Sequence, residues 1–408
     1  MAVEHKQQQQ RRNAGITSFV RNDSNIATGD FLQFPQGIHD MFKRNVRNAS
    51  IASLVLASAT LGAQVNPRAS YIDIPARRAE LKRTKDPRTL KAIAALDSCV
   101  AMPAAPPPTG RMIIPPHYIS GGHGPINPEE EKVTRFYAAF EHRITAGMNQ
   151  WLVTANPAEA RCAQQQIDAW AQAGTLLDYD PKESSQAWFQ VEWTLSAVAI
   201  SESVIVNEPT LDPAVVKRDL QWMNKAAHRT VDFDLAGKQK NNHHYWRGLA
   251  AIATGVATSD AKLFDWGVDV YKQAIDEIDT RGAFPQEMAR HERAIHYQSF
   301  ALQPLIPLAQ FAERQHVPLY RYRSPSGHTV ADAVDFLGAA VADPVIVKVY
   351  TPEEQLLAGE GGDFYAFAEF YSHHGTLPAA MVHGLEKPTF ATRIGGSTTV
   401  IDGYVPGR

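Results

Sequence analysis

The sequence predicts an all-α protein whose helices pair as antiparallel hairpins and curl into a ring. Apolar residues recur at helical spacing in one segment after another from residue 128 onward, and the strict alternation that marks half-buried strands is almost absent. No fixed self-similarity of about 34 or 40 residues runs along the chain, which favours a ring over a helical solenoid.

Three segments precede the helices. Residues 1–40 contain the glutamine run Gln7 to Gln10, then Arg11 and Arg12, with no apolar period, and are expected to be a disordered extension. Residues 41–63 read as a secretory signal: Lys43, Arg44 and Arg47 form a basic start, Ala49 to Ala59 is apolar, and Ala57-Ser58-Ala59 or the bond after Ala63 offers small residues for cleavage. The apolar stretch is too short to span a bilayer as a mature helix. Met41 is therefore expected to be the true start. Residues 64–126 are expected to be an extended arm and flap, because Pro103, Pro106, Pro107, Pro108, Pro115 and Pro116 prevent long helices and Tyr118 to Gly124 is glycine-rich. A plain surface turn is the alternative for that last stretch.

Residues 127–408 form the predicted helical domain. Asn127 as N-cap, Pro128 at the first helical position and Glu129 to Glu131 in the first turn mark a helix start, and Val133, Phe136, Phe140, Ile144, Met148 and Leu152 follow at helical spacing. Further helices are predicted over 157–177, 186–204, 213–228, 246–258, 260–278, 284–315 and 330–342, separated by turns with Gly, Pro, Asn or Asp. Pro304, Pro307 and Pro318 are expected to interrupt or kink the stretch near residue 300.

The formal net charge of -3 supplies no general basic field, so nucleic acid is excluded as a partner while a polyanion could still bind locally. No stretch outside the signal is apolar enough to cross a membrane. Cys99 and Cys162 are the two cysteines, and in an exported chain an even pair reads as a disulfide, two buried thiols being the alternative.

Two clusters could carry chemistry. Asn241-Asn242-His243-His244-Tyr245-Trp246 opens a helix; consecutive helical residues diverge by about 100°, so only one of the two histidines can face a given cleft. An aromatic-rich helix start capped by asparagine is the plainer reading. In the second cluster, Arg290 and Tyr297 stand seven residues apart and would share one helical face, where a guanidinium could lower the phenol pKa. Without other information they are a surface pair. His291 with His296 has the wrong spacing for zinc ligands on one helical face. His373 and His374, near Tyr365 and Tyr371, read as surface groups or the lining of a sugar cleft. No nucleophile elbow, phosphate loop, dinucleotide fingerprint or acid pair for glycoside hydrolysis is evident.

Three blocks in order, Asn241 to Trp246, Leu263-Phe264-Asp265-Trp266-Gly267-Val268, and Arg290 with Ala294 to Leu302, resemble the mannuronate-specific alginate lyases of polysaccharide lyase family 5. The similarity extends back through Cys162 to Cys99 and forward to Arg393-Ile394-Gly395-Gly396, covering most of the predicted mature chain. The resemblance implies an incomplete α/α toroid with a deep groove, periplasmic or secreted location, no cofactor and no obligatory metal. It also supports pairing of Cys99 with Cys162.

The same resemblance implies cleavage of poly-β-D-mannuronate by β-elimination, leaving a 4,5-unsaturated uronate at the non-reducing end. In it Asn242 and His243 neutralise the uronate carboxylate, Tyr297 moves protons and Arg290 assists it, with His243 as base on the C5 epimer. Donors aimed at the enolate charge would stabilise it where it develops. Tyr118, His117, Trp246, Tyr365 and Arg393 are expected substrate contacts, and a monomer is expected. The family often has lysine where His117 stands, and His-Asn-Tyr where Gln298-Ser299-Phe300 stands. These departures leave glucuronan or another polyuronate as an alternative substrate. A periplasmic alginate-binding scaffold is the alternative outside enzymes.

Overall fold

The computed structural model describes residues 65–120, 124–234, 240–357 and 361–404. The expected extension and signal peptide lie outside the described residues, as do Gly121 to His123 of the expected flap. Fourteen α-helices are described: α1 (Ile74–Arg83), α2 (Pro87–Ala94), α3 (Pro128–Thr154), α4 (Pro157–Gln172), α5 (Ser185–Ile205), α6 (Pro213–Asp234) and α7 (Asn242–Thr258). They continue with α8 (Ala261–Asp276), α9 (Pro285–Met288), α10 (Ala294–Arg314), α11 (Val330–Ala342), α12 (Ala366–Tyr371), α13 (Ala379–Gly384) and α14 (Thr398–Asp402). Among the described residues the only β-pairing is two isolated bridges, Tyr118 with Ile126 and Ala391 with Gly396.

Consecutive helices pair as α3 with α4, α5 with α6, α7 with α8 and α10 with α11, while α3, α5, α7 and α10 also pack on one another in sequence. The first member of each hairpin therefore faces inward, and the result is the α/α toroid. Helix α5 shows why: nearly every residue from Gln186 to Ile205 is buried, as expected of a helix with neighbours on all sides. Close approach of α7 and α8 rests on glycine, since a Cβ at Gly255 would lie 2.6 Å from the Phe264 backbone nitrogen and one at Gly267 would lie 2.9 Å from the Gly248 carbonyl oxygen.

Helix starts follow the capping residues. Asn127 Oδ1 accepts from Glu129 N at 3.1 Å and Asn241 Oδ1 accepts from His243 N at 3.2 Å. Three expectations need correction. The arm contains α1 and α2, because Pro75 and Pro87 occupy first-turn positions, where proline costs no hydrogen bond, behind the capping residues Asp73 and Asp86. Helix α10 runs through Pro304 and Pro307 without interruption, held on all sides by buried neighbours such as Leu305, Ile306 and Leu308. Only Pro318 falls in a turn.

The stretch predicted as one helix over 284–315 is instead α9, a 3-10 turn over His291–Arg293 and then α10, with His291 at φ 54°. Cys99 and Cys162 form a disulfide joining the segment before α3 to α4. Between α5 and α6, Glu202 and Asp219 are fully buried; neither carboxyl oxygen of Glu202 has a hydrogen-bond partner among the described residues, and Asp219 lies against Asp168. Burial, reinforced by Glu202, pushes Asp219 up to about 9, and burial pushes Glu202 up to about 7.

Two outcomes follow for stability. Replacing both cysteines by serine lowers the unfolding free energy by about 4 kcal/mol in denaturant titrations, the loop-closure contribution of a bridge across this separation. Asp219→Asn raises the melting temperature, and the gain grows with pH. A carboxyl whose folded pKa is raised progressively loses stability as pH climbs from its unfolded pKa through its folded value. Melting curves at pH 5 and pH 8 check this.

Candidate active site

A cavity of about 510 Å³ opens at the centre of the ring. Helix α5 contributes Phe189, Gln190 and Trp193, the start of α7 contributes His243, and the turn before α10 with its first turns contributes Arg290, His296 and Tyr297. His117 and Tyr118 reach in from the segment before α3, where Asn127 N donates to His117 O at 2.8 Å and Ile119 N donates to Pro125 O at 3.1 Å. Arg393 enters from a 3-10 turn over Thr392–Ile394 that packs against α3, α5 and α10. That turn ends on Gly395 and Gly396, both at positive φ, and a Cβ at Gly395 would meet the Tyr71 hydroxyl at 2.4 Å.

Two phenols meet on the cavity wall. Tyr118 Oη and Tyr297 Oη are 2.9 Å apart, the Arg290 guanidinium lies 3.8 Å above the Tyr297 ring, and that of Arg293 lies 5.4 Å from the Tyr118 ring. Arg290 and Tyr297 touch, but not as two turns of one helix: Arg290 precedes the helix, and His291 after it has a left-handed backbone. The Tyr297 phenol pKa is pushed up, not down. Burial dominates, Arg290 opposes it and Tyr118 adds to it, so the phenol is protonated at rest.

His243 is the second reactive group. Its Nδ1 is 2.7 Å from Glu192 Oε1, and Phe189 stacks on the ring with centroids 3.5 Å apart at 15°. Burial, aided by Arg247, Arg290, Arg393 and His117, pulls its pKa well down, so the imidazole is neutral. His244 points away and pairs with Asp234, as the divergence of consecutive helical residues requires. The Arg393 guanidinium lies 3.9 Å over the Trp193 ring.

Other expected contacts are placed differently. Asn242 is fully buried, with N donating to Glu287 Oε1 at 2.6 Å and Nδ2 to Glu287 Oε2 at 2.9 Å, and it is Asn241 that lines the cavity. One of its two amide hydrogens is thus already engaged. Burial pushes Glu287 up to about 7. Trp246 is fully buried beneath Phe300, with centroids 5.3 Å apart. Tyr365 packs its ring where a Cβ on Gly384 would stand. Neither is among the residues lining the cavity. His374 stacks on Tyr320 at 3.8 Å, away from the site.

Sequence reasoning passed over Glu192, Arg247, Asp234 and Glu287. Glu192 carries a signal, a charged residue between Val191 and Trp193 in a largely apolar helix, where burying an acid is costly unless it is paired. A larger hollow of about 1320 Å³ is bordered by Pro67, Leu220 and Lys262, and its histidine, His228, is paired with Asp260. Among the described residues no three His, Cys, Asp or Glu side chains form a group able to hold a metal ion.

Fold and site define a class: an α/α toroid with arginine, neutral imidazole and buried phenol gathered in a central cavity. The family model described as alginate lyase matches residues 77–347, and the chain belongs to the alginate lyase family, a family of polysaccharide lyases. A polysaccharide lyase of Stenotrophomonas maltophilia is 28% identical over 323 residues, covering 76% of this chain and 93% of the relative. An alginate lyase of Cobetia marina is 30% identical over 320 residues, covering 75% and 84%. The crystal structure of alginate lyase A1-III from Sphingomonas species A1 is similar at a TM-score of 0.77 and 36% identity, over 84% of this chain and 98% of that one. A histidine-to-alanine variant of A1-III complexed with tetrasaccharide gives 0.79 at 36% identity, over 85% and 98%.

Removing the phenol contact tests the geometry. Tyr118→Phe leaves Tyr297 without its hydroxyl partner and lowers kcat by about tenfold, on the order of one lost hydrogen bond to a charge-developing group. Steady-state kinetics on the polysaccharide check it.

Proposed function

We propose that the protein cleaves alginate by β-elimination, with poly-β-D-mannuronate preferred. The observation that carries this reading is Tyr297, a buried phenol with Arg290 across its ring and Tyr118 on its oxygen, in one cavity with the neutral imidazole of His243. Two variants of A1-III support it: a histidine-to-alanine and a tyrosine-to-phenylalanine variant of that alginate lyase were each complexed with tetrasaccharide. The positions altered there are the same number of residues apart as His243 and Tyr297.

In the proposed step the proton on C5 of the uronate is removed, its bonding pair becomes the C4–C5 double bond, and the C4–O4 bond breaks as O4 takes up a proton. Arg290 and Arg393 supply positive charge for the carboxylate and the enolate that develops on it. On mannuronate the elimination is syn, so the C5 proton and O4 share a face and Tyr297 serves both: its phenolate takes the proton and the phenol returns it to O4. His243, with a lone pair, is the base for the C5 epimer. Asn242 acts one layer back, holding the start of α7 through Glu287. Export through the segment 41–63 is part of this proposal, with the mature chain beginning near Gln64.

Tyr297→Phe is expected to abolish formation of the unsaturated product, followed by its absorbance, while binding of oligomannuronate stays largely in place. Weak binding with normal turnover contradicts the role. Because Tyr297 must lose its proton to start a turnover, kcat/KM on poly-mannuronate rises on the alkaline side. Removing the Arg290 cation raises the phenol pKa further, so Arg290→Gln moves that rise to higher pH. A profile unchanged by the substitution counts against Arg290 acting on the phenol.

A further inference from the structure

We propose that Arg247 acts through Glu192 to fix which ring nitrogen of His243 carries the proton, holding Nδ1–H inward and leaving the Nε2 lone pair for the cavity. This rests on the reading of that cavity as the reaction site. Glu192 reaches His243 with Oε1 at 2.7 Å and Arg247 with Oε2, which accepts from Nη1 at 2.8 Å. Arg247 is itself fully buried, stacked 4.0 Å over Trp188, and donates through Nη2 to Asp234 Oδ1 at 3.1 Å. Asp234 is closed off on its other oxygen by His244. The chain His243–Glu192–Arg247–Asp234–His244 thus runs from the cavity wall into the helix packing, and its two carboxylates flank one guanidinium.

Direction comes from the middle of that chain. A guanidinium has five donors and no acceptor, so both oxygens facing Arg247 must accept. Burial pushes the Glu192 carboxyl pKa well up, and Arg247 opposes that rise by its charge and its hydrogen bond; in the proposed state the carboxylate is ionised, so Oε1 accepts from His243 and the proton sits on Nδ1. The charged and titratable groups that act on the imidazole are Glu192 from α5, Arg247 from α7, Arg290 from the turn before α10, Arg393 from the C-terminal turn and His117 from the segment before α3. Four of these five are basic groups, so they oppose a second proton on the ring. Glu192 and Arg247 are positioning residues: each touches the substrate only through His243.

Glu192→Gln gives a test that loss of packing would not mimic. Arg247 still demands an acceptor, so the glutamine oxygen turns to it and the glutamine NH2 faces His243 Nδ1. The ring must then accept at Nδ1 and carry its proton on Nε2, which removes the lone pair from the cavity.

The experiment is ¹⁵N NMR of the full chain labelled at histidine, with the His243 signals identified by their loss in His243→Ala, together with product assays on alginate enriched in the C5 epimer, where His243 is the proposed base. The Nδ1–H form is expected in the wild type and the Nε2–H form in Glu192→Gln, whose kcat falls on the order of 10²-fold or more with KM little changed. Adding Arg247→Met to Glu192→Gln frees the glutamine to turn its oxygen to His243. The double variant is expected to regain Nδ1–H and recover activity relative to the single one.

An Nε2–H form in the wild type, which needs no variant to fold, overturns the proposal. So does an unchanged tautomer in Glu192→Gln, or a double variant less active than the single one. The NMR readout needs no substrate. If the tautomers behave as stated while no polyuronate yields unsaturated product, the reaction assigned to the cavity is wrong and this inference stands.

Discussion

A carboxylate at the middle of α5 constrains much of this molecule. Helix α5 is buried on every side, and an unpaired charge there would cost far more than any single apolar contact returns. Glu192 is accommodated because α7 brings Arg247 and His243 to its two oxygens, and because Asp234 at the end of α6 takes the other side of the guanidinium. Three helices are therefore keyed to one another by polar geometry as well as by shape. A slip of α7 by one residue would rotate it by about 100° and break both contacts at once. The position of His243 in the cavity wall and the register of the ring are one requirement.

How much of this could be read in advance depended on whether the information was local. Caps, first-turn prolines and helical spacing are local, and they placed α3 at residue 128, its actual first residue, and α11 over its full extent. Proline within a helix was misjudged for the opposite reason. The local cost of Pro304 and Pro307 is real, but α10 is surrounded by the core, and burial of its neighbours outweighs two lost backbone hydrogen bonds. Arg290 and Tyr297 meet although they do not share one helix, Arg290 lying before the 3-10 turn that precedes α10. Trp246 and Asn242 are expected at the cavity from the family resemblance. Which of several adjacent polar or aromatic groups faces a cavity is decided by partners far along the chain, here Phe300 and Glu287.

Burial and charge also compete at Tyr297, and the outcome bears on what a phenol can do there. The Arg290 guanidinium acts in the expected direction, favouring phenolate, yet desolvation is the larger effect and the group keeps its proton at rest. These two effects have one origin. The same exclusion of water that penalises phenolate also strengthens its attraction to a cation 3.8 Å from the ring, since Coulombic interaction grows as the local dielectric falls. Tyr118 adds a third element, because its hydroxyl can accept from the neutral phenol and donate to the ionised one at the same 2.9 Å separation. A phenol so surrounded is not kept permanently ionised, but its anion has a cation and a donor already in place when it forms. That is the property required of a group that takes a proton from carbon and returns it to oxygen within a single turnover, and it needs no movement of Arg290 or Tyr118 between the two steps.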